Sequence, residues 1–159
     1  MSSLSNLACE LSWMPLLNLA RHLADRQSLA EQHALIVDTI AQALDAEVAL
    51  WLSDALYRLP VSQAPPPTAP PSPLMSRAIE AQQPVLSPAD KNTSAAVAIP
   101  LLIQSRLLGV LQVEPRANHQ LEPEEIEILE CVGSQIAISL ASTHRLEVEQ
   151  WRSEQLALV

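Results

Sequence analysis

Phenylalanine is absent from the 159 residues, and three Trp and one Tyr are the whole aromatic complement. Leu, Ile, Val and Ala must therefore fill the interior. With 48% hydrophobic residues there is material for it, and one domain of this length buries roughly 70% of its unfolded surface. Cys9 and Cys131 are the two cysteines, too few for a disulfide framework and without metal-ligand spacing, so a reduced, cytoplasmic protein with no metal is expected. Basic residues number 9 against 18 acidic ones, a net charge of −9. That balance excludes a general binder of nucleic acid or of anionic membranes, which needs a basic face. Long charge-free apolar runs are lacking too. Asn92 to Ser105 and Cys131 to His144 both fall short of the roughly 20 residues that cross a bilayer. No membrane span is expected, and Glu10 interrupts the first apolar run, which argues against a secretory leader.

What is present reads as a sequence of helices and strands. Leu4, Leu7, Leu11, Leu16, Leu19 and Leu23 have helical spacing, interrupted by Pro15, which should kink or split a helix over 3–26. Ser28 with Glu31 three residues later forms a capping box, and Leu29, His33, Ile36, Val37, Ile40 and Leu44 share one face, predicting a helix over 28–44. EVALWLS, 47–53, is short and apolar on both faces, as a buried strand is. Ala55–Leu59 could pair with it. Seven prolines between Pro60 and Pro73 rule out ladder pairing there and predict an extended surface loop, with Pro73 opening a short helix.

Residues 94–104 and 107–114 read as two strands joined at Ser105-Arg106 in an antiparallel hairpin, with Pro100 demanding an edge position or a bulge. Pro123, preceded by Glu122 and followed by Glu124 and Glu125, opens the longest helix. From 123 to about 157 it would extend roughly 50 Å, more than a small domain can cover. Its end should project, and the apolar stripe there wants a partner helix. The segment 122–159 holds eight Glu against Arg145 and Arg152, a net −6 of the −9, so a self-associating stripe must be narrow. The chain reaches Val159 without a helix-ending residue, as a piece of a longer protein would.

AEQHALIVDTIAQALDAEVALWLS, PLLIQSRLLGVLQVE and LEPEEIEILECVGSQIAISLAS, in that order, resemble the second helix and first strand, the central hairpin with Gly109, and the closing helix of a GAF domain. The resemblance covers about residues 20 to 145. It implies an α+β fold: a central antiparallel sheet of five or six strands, terminal helices packed on one face, and a ligand pocket on the other. Residues 1–26 would form an N-terminal helical segment, 27–145 the GAF-like domain and 146–159 a projecting signalling or coiled-coil helix. It further implies a non-catalytic sensory and dimerisation domain of a signal-transduction protein, a homodimer relaying a conformational signal along its C-terminal helix to an output domain or partner signalling protein. The alternative is a regulatory module of a transcription regulator or kinase that binds a small anionic effector.

The family's chemistry-bearing motifs are missing. The Asn-Lys/Phe/Asp-Glu pattern of cyclic-nucleotide binders has no counterpart, since Lys91-Asn92 is reversed and Phe absent. Cys9 and Cys131 neighbour no His as a bilin-attaching cysteine would, and the pocket loops hold none of the cysteines of sulfoxide-reducing relatives. No cofactor and no catalytic residue is assigned. Cys131 and His144 lie nearly 20 Å apart along one helix, too far for nucleophile and base. His33 on an apolar helix face reads as a satisfied core histidine, and the glutamates after 122 as a solvated helix start.

Ligand-pocket candidates are Trp51, which alternation places opposite Val48, Leu50 and Leu52, together with Tyr57, Arg58 and Arg77, suited to an anionic small molecule. Candidates for the dimer and signalling helix are Leu140, His144, Val148, Trp151 and Leu158, with Trp151 the expected anchor.

Overall fold

The computed structural model describes residues 18–25, 28–53, 70–88, 95–116 and 121–157. Their elements, in chain order, are α1 (Leu19–Ala24), α2 (Leu29–Leu44), β1 (Ala46–Leu52), α3 (Pro73–Ala81), β2 (Val85–Ser87), β3 (Ala96–Ile103), β4 (Arg106–Pro115) and α4 (Pro123–Ala157). The α+β class and the C-terminal helix are as expected. The sheet is not: it has four strands among the described residues, in the order β1-β4-β3-β2, against the five or six expected. The anticipated partner strand at 55–59 lies outside those residues, as do Pro15 and most of the proline-rich run.

Local chemistry sets the element boundaries. The Ser28 hydroxyl accepts a hydrogen bond from the Glu31 backbone N–H at 3.2 Å, filling one of the donors that a helix start leaves open. Asp45 ends α2 in the left-handed conformation, φ 47°, and β1 follows at once. Ser72 caps α3 in the same manner, accepting from the Met75 N–H at 3.1 Å, with Pro73 as the first helical residue. At the start of α4 the Glu125 side chain reaches back to accept from the Glu122 N–H at 3.0 Å.

The hairpin turn falls one residue earlier than the sequence implies. Gln104 and Ser105 both take positive φ, 50° and 66°, the backbone that a two-residue turn needs to match the twist of its strands. Pro100 is buried yet tolerated. β2 pairs with Ala96–Ala98 alone, so the outer edge of β3 is free of strand pairing at Pro100, and the β3–β4 register shifts just beyond, between Leu101 and Leu102.

Alternation then divides the sheet into two faces. On one, Leu50, Leu52, Val97, Ile99, Leu101, Leu111 and Val113 join Leu19 and Leu23 of α1, Ile36 and Ile40 of α2, and Leu129, Ile136 and Leu140 of α4 in the main core. On the other, Met75 and Ala78 of α3 pack with Ala98 and Val110, and half-buried Trp51, Val85 and Leu107 close the edges. The three helices α1, α2 and α4 thus share one face, as the resemblance implied, and α3 occupies the opposite one. α4 crosses β3 at Gly133, where an added Cβ would come within 3.3 Å of Leu101 Cδ2 and 3.4 Å of Ile99 Cγ2.

α4 is long and apolar enough by composition to cross a membrane, with a mean hydropathy of 1.2 over its most apolar window. Inspection of charge-free runs alone misses this. In the fold its Leu129, Val132, Ile136, Ala137 and Leu140 are buried in the core.

Candidate functional site

Trp51 lies on the α3 side of the sheet, as strand alternation requires, and packs against the Met75, Ala78, Ala98 and Val110 cluster. Ser72 fastens α3 over that face: its hydroxyl donates to Gln112 Oε1 of β4 at 2.5 Å while capping the helix. Arg77 of the same helix is exposed. Tyr57 and Arg58 lie outside the described residues. Of the pocket candidates among the described residues, Trp51 thus joins an apolar cluster and Arg77 faces solvent. A cavity of about 220 Å³ does open past the C-terminal end of α3, lined by Gln82, Pro84, Ile99, Pro100, Glu130 and Ser134. Beside its apolar lining it offers two amides, one carboxylate and a hydroxyl, without a cation.

Along α4 the stripe Leu140, His144, Val148 and Trp151 continues the core-facing stripe of the same helix. Leu140 is wholly buried in the chain's own core, which leaves it no surface to offer a partner. His144, Val148 and Trp151 are half-buried, and Leu158 lies outside the described residues. The His144 Nδ1 and Trp151 Nε1 atoms are buried without a hydrogen-bond partner among the described residues. Between them Glu147 accepts from the Leu29 N–H at the start of α2. Burial lifts its carboxyl above the usual carboxylate range, opposed by that N–H and by His144. The large apolar side chains that α4 does expose are Ile138, Leu146 and Leu156, at 60%, 65% and 76% exposure. Sequence spacing passed over all three, because the stronger periodic signal came from the buried side.

His33 is a satisfied histidine as expected, its Nε2 hydrogen-bonded to the Leu50 carbonyl oxygen at 2.9 Å. Gln32, absent from the predicted apolar face, is the more buried neighbour, and its Nε2 donates to the Leu23 carbonyl at 3.1 Å. That bond ties α2 to α1. Cys131 is an exposed free thiol. Among the described residues no group of three His, Cys, Asp or Glu is placed to hold a metal ion.

Comparison with known proteins is consistent with this architecture. No curated protein matches the chain. Solved structures do, with TM-scores that reflect shared topology at low identity. Free methionine-R-sulfoxide reductase from Neisseria meningitidis, solved with its substrate, is 15% identical with a TM-score of 0.68, over 87% of this chain and 93% of that one. The GAF domain of a phosphoenolpyruvate-protein phosphotransferase from Coxiella burnetii is 17% identical with a TM-score of 0.68, over 87% and 98%. The GAF domain of the potassium sensor histidine kinase KdpD from Escherichia coli is 21% identical with a TM-score of 0.64, over 86% and 98%. At such identities the likeness establishes the fold alone. The family model for the GAF domain matches residues 28–140, most of the chain, from the α2 start through the buried part of α4, and on that match the chain belongs to the GAF domain family.

Proposed function

We propose that the chain works as a non-catalytic sensory and signalling domain that pairs with a second copy through the end of α4 and relays conformational change along that helix. One observation carries this reading. The last buried position of α4 is Thr143, yet the helix continues to Ala157, about 20 Å further at 1.5 Å per residue. A helix that outlasts its own core needs cover or an output. The family and the signalling proteins that contain similar domains, a sensor kinase among them, support the sensory role. The exposed Leu146 and Leu156, ten residues apart as heptad positions a and d are, support pairing through that side of the helix, whereas half-buried Val148 and Trp151 fall on its other side.

In this reading residues 1–26 brace the domain, 27–145 form the sensor and 146–159 the relay. The setting is cytoplasmic, in keeping with two cysteines and no disulfide framework. The alternative anionic effector on Trp51, Tyr57, Arg58 and Arg77 is less favoured, because α3 already packs over Trp51.

Cross-linking tests the pairing. With Cys9 and Cys131 replaced by Ser, Leu156→Cys should give a covalent dimer under mild oxidation, since identical positions meet in a symmetric parallel pair, whereas Glu127→Cys should not. Equal cross-linking at both positions, or none at position 156, would refute it.

A further inference from the structure

Three of the chain's nine basic side chains, Arg106, Arg145 and Arg152, line one cavity of about 340 Å³ between the β3–β4 turn and the outer half of α4. The ion pair among the described residues joins Arg116 and Asp45 at 3.7 Å and involves none of them. Glu149 is the one carboxylate in the lining, so the cavity is net positive in a chain of net charge −9. Leu108, Ala141 and Val148 give it an apolar floor. His144 also lines it and carries a buried, unpartnered ring nitrogen.

We infer that this cavity is a binding site for a small organic anion, a phosphate or carboxylate on a compact apolar body. Three guanidinium groups, in no ion pair among the described residues, offer the forked donors that such oxygens accept, and charge-assisted bonds of this kind are stronger than neutral ones. The apolar floor takes the body of the ligand. Repulsion from the rest of the acidic chain is screened beyond about 8 Å at physiological salt, so the local lining decides. The site lies beside the main-core face, away from α3 and Trp51, and stands independently of the proposed pairing. It bridges the hairpin turn and the helix end, so an occupant would hold the two together.

Calorimetric titration of the full chain with phenyl phosphate and, separately, phenylacetate tests it, with benzyl alcohol as the neutral control. The expected result is saturable one-to-one binding of at least one anion and none of the alcohol. Arg145→Gln with Arg152→Gln should weaken it by about tenfold or more, while Arg116→Gln, just past the end of β4 opposite Arg106, leaves it unchanged. Both arginines are exposed, and unchanged far-UV circular dichroism will show that the variants fold. Binding of phenyl phosphate alone would assign a phosphate ligand, and of phenylacetate alone a carboxylate. No saturable binding of either anion, or equal binding by the double variant, would overturn the inference.

Discussion

Gly109 and Gly133 are the chain's two glycines, and alanine should be far more costly at the first than at the second. Gly109 pairs with Leu52 across β4 and β1. A Cβ there would overlap the Trp51 carbonyl oxygen and approach Leu52 Cδ2 to 3.1 Å and its Cα to 3.3 Å. Two of those obstacles are backbone, so relief requires β1 to move away from β4. That movement strains the Ser53 N–H to Leu108 carbonyl bond, now 2.8 Å. Overpacking costs about 1–3 kcal/mol and a weakened hydrogen bond about 1 kcal/mol. Lower freedom of the unfolded chain returns about 0.4–1 kcal/mol. The net loss is about 2 kcal/mol, or about 4–8 °C in Tm for a chain of this size. Gly133→Ala meets only the side-chain methyls of Leu101 and Ile99, which can shift, and alanine gains about 1 kcal/mol over glycine inside a helix. Its stability should stay within about 1 kcal/mol of the parent. Urea denaturation of the three proteins measures both. A Gly109→Ala protein as stable as the parent, or a Gly133→Ala protein that loses more, would refute the packing described for this sheet.

Other outcomes follow from caps, charge and salt. Ser72→Ala removes the α3 cap and its bond to Gln112, and should cost about 1 kcal/mol in the same assay, whereas Ser76→Ala, without a cap role, should cost less. The raised Glu147 pKa means that the folded state holds this proton more tightly than the unfolded chain does. Its penalty is therefore full above the raised value and is relieved as pH falls through it. Glu147→Gln should accordingly raise Tm at neutral pH, with the advantage shrinking as pH drops through and below that raised value; an advantage that grows on acidification would contradict the assignment. Self-association through the acidic α4 should strengthen with added salt, which screens like charges, and sedimentation at low and high salt will show the direction.

Much of this fold was legible because its signals are local. The Ser28–Glu31 box, Pro73 and Pro123 each mark a helix start through one backbone donor or one fixed φ. Trp51 was assigned its face by alternation, which needs only the neighbouring residues. The hairpin turn was misplaced by one residue because Gln104 and Ser105 adopt positive φ without glycine or asparagine. The stripe through Leu140, His144, Val148 and Trp151 was visible as periodicity. Periodicity does not distinguish cover by the chain's own sheet from cover by a partner, and at Leu140 the cover is internal. The arginine-lined cavity could not be read at all. Arg106 and Arg145 are far apart in sequence, and the net charge of the C-terminal segment hides two cations that converge on a third.

Beyond the core, α4 is proposed to join two copies of the chain. Sedimentation velocity of the full chain over a range of concentrations, beside the Leu146→Glu and Leu156→Glu double variant, tests it most directly. Both positions are exposed, so the variant should fold and remain monomeric while the parent sediments as a dimer. A parent that stays monomeric, or a double variant that dimerises equally well, would contradict the account.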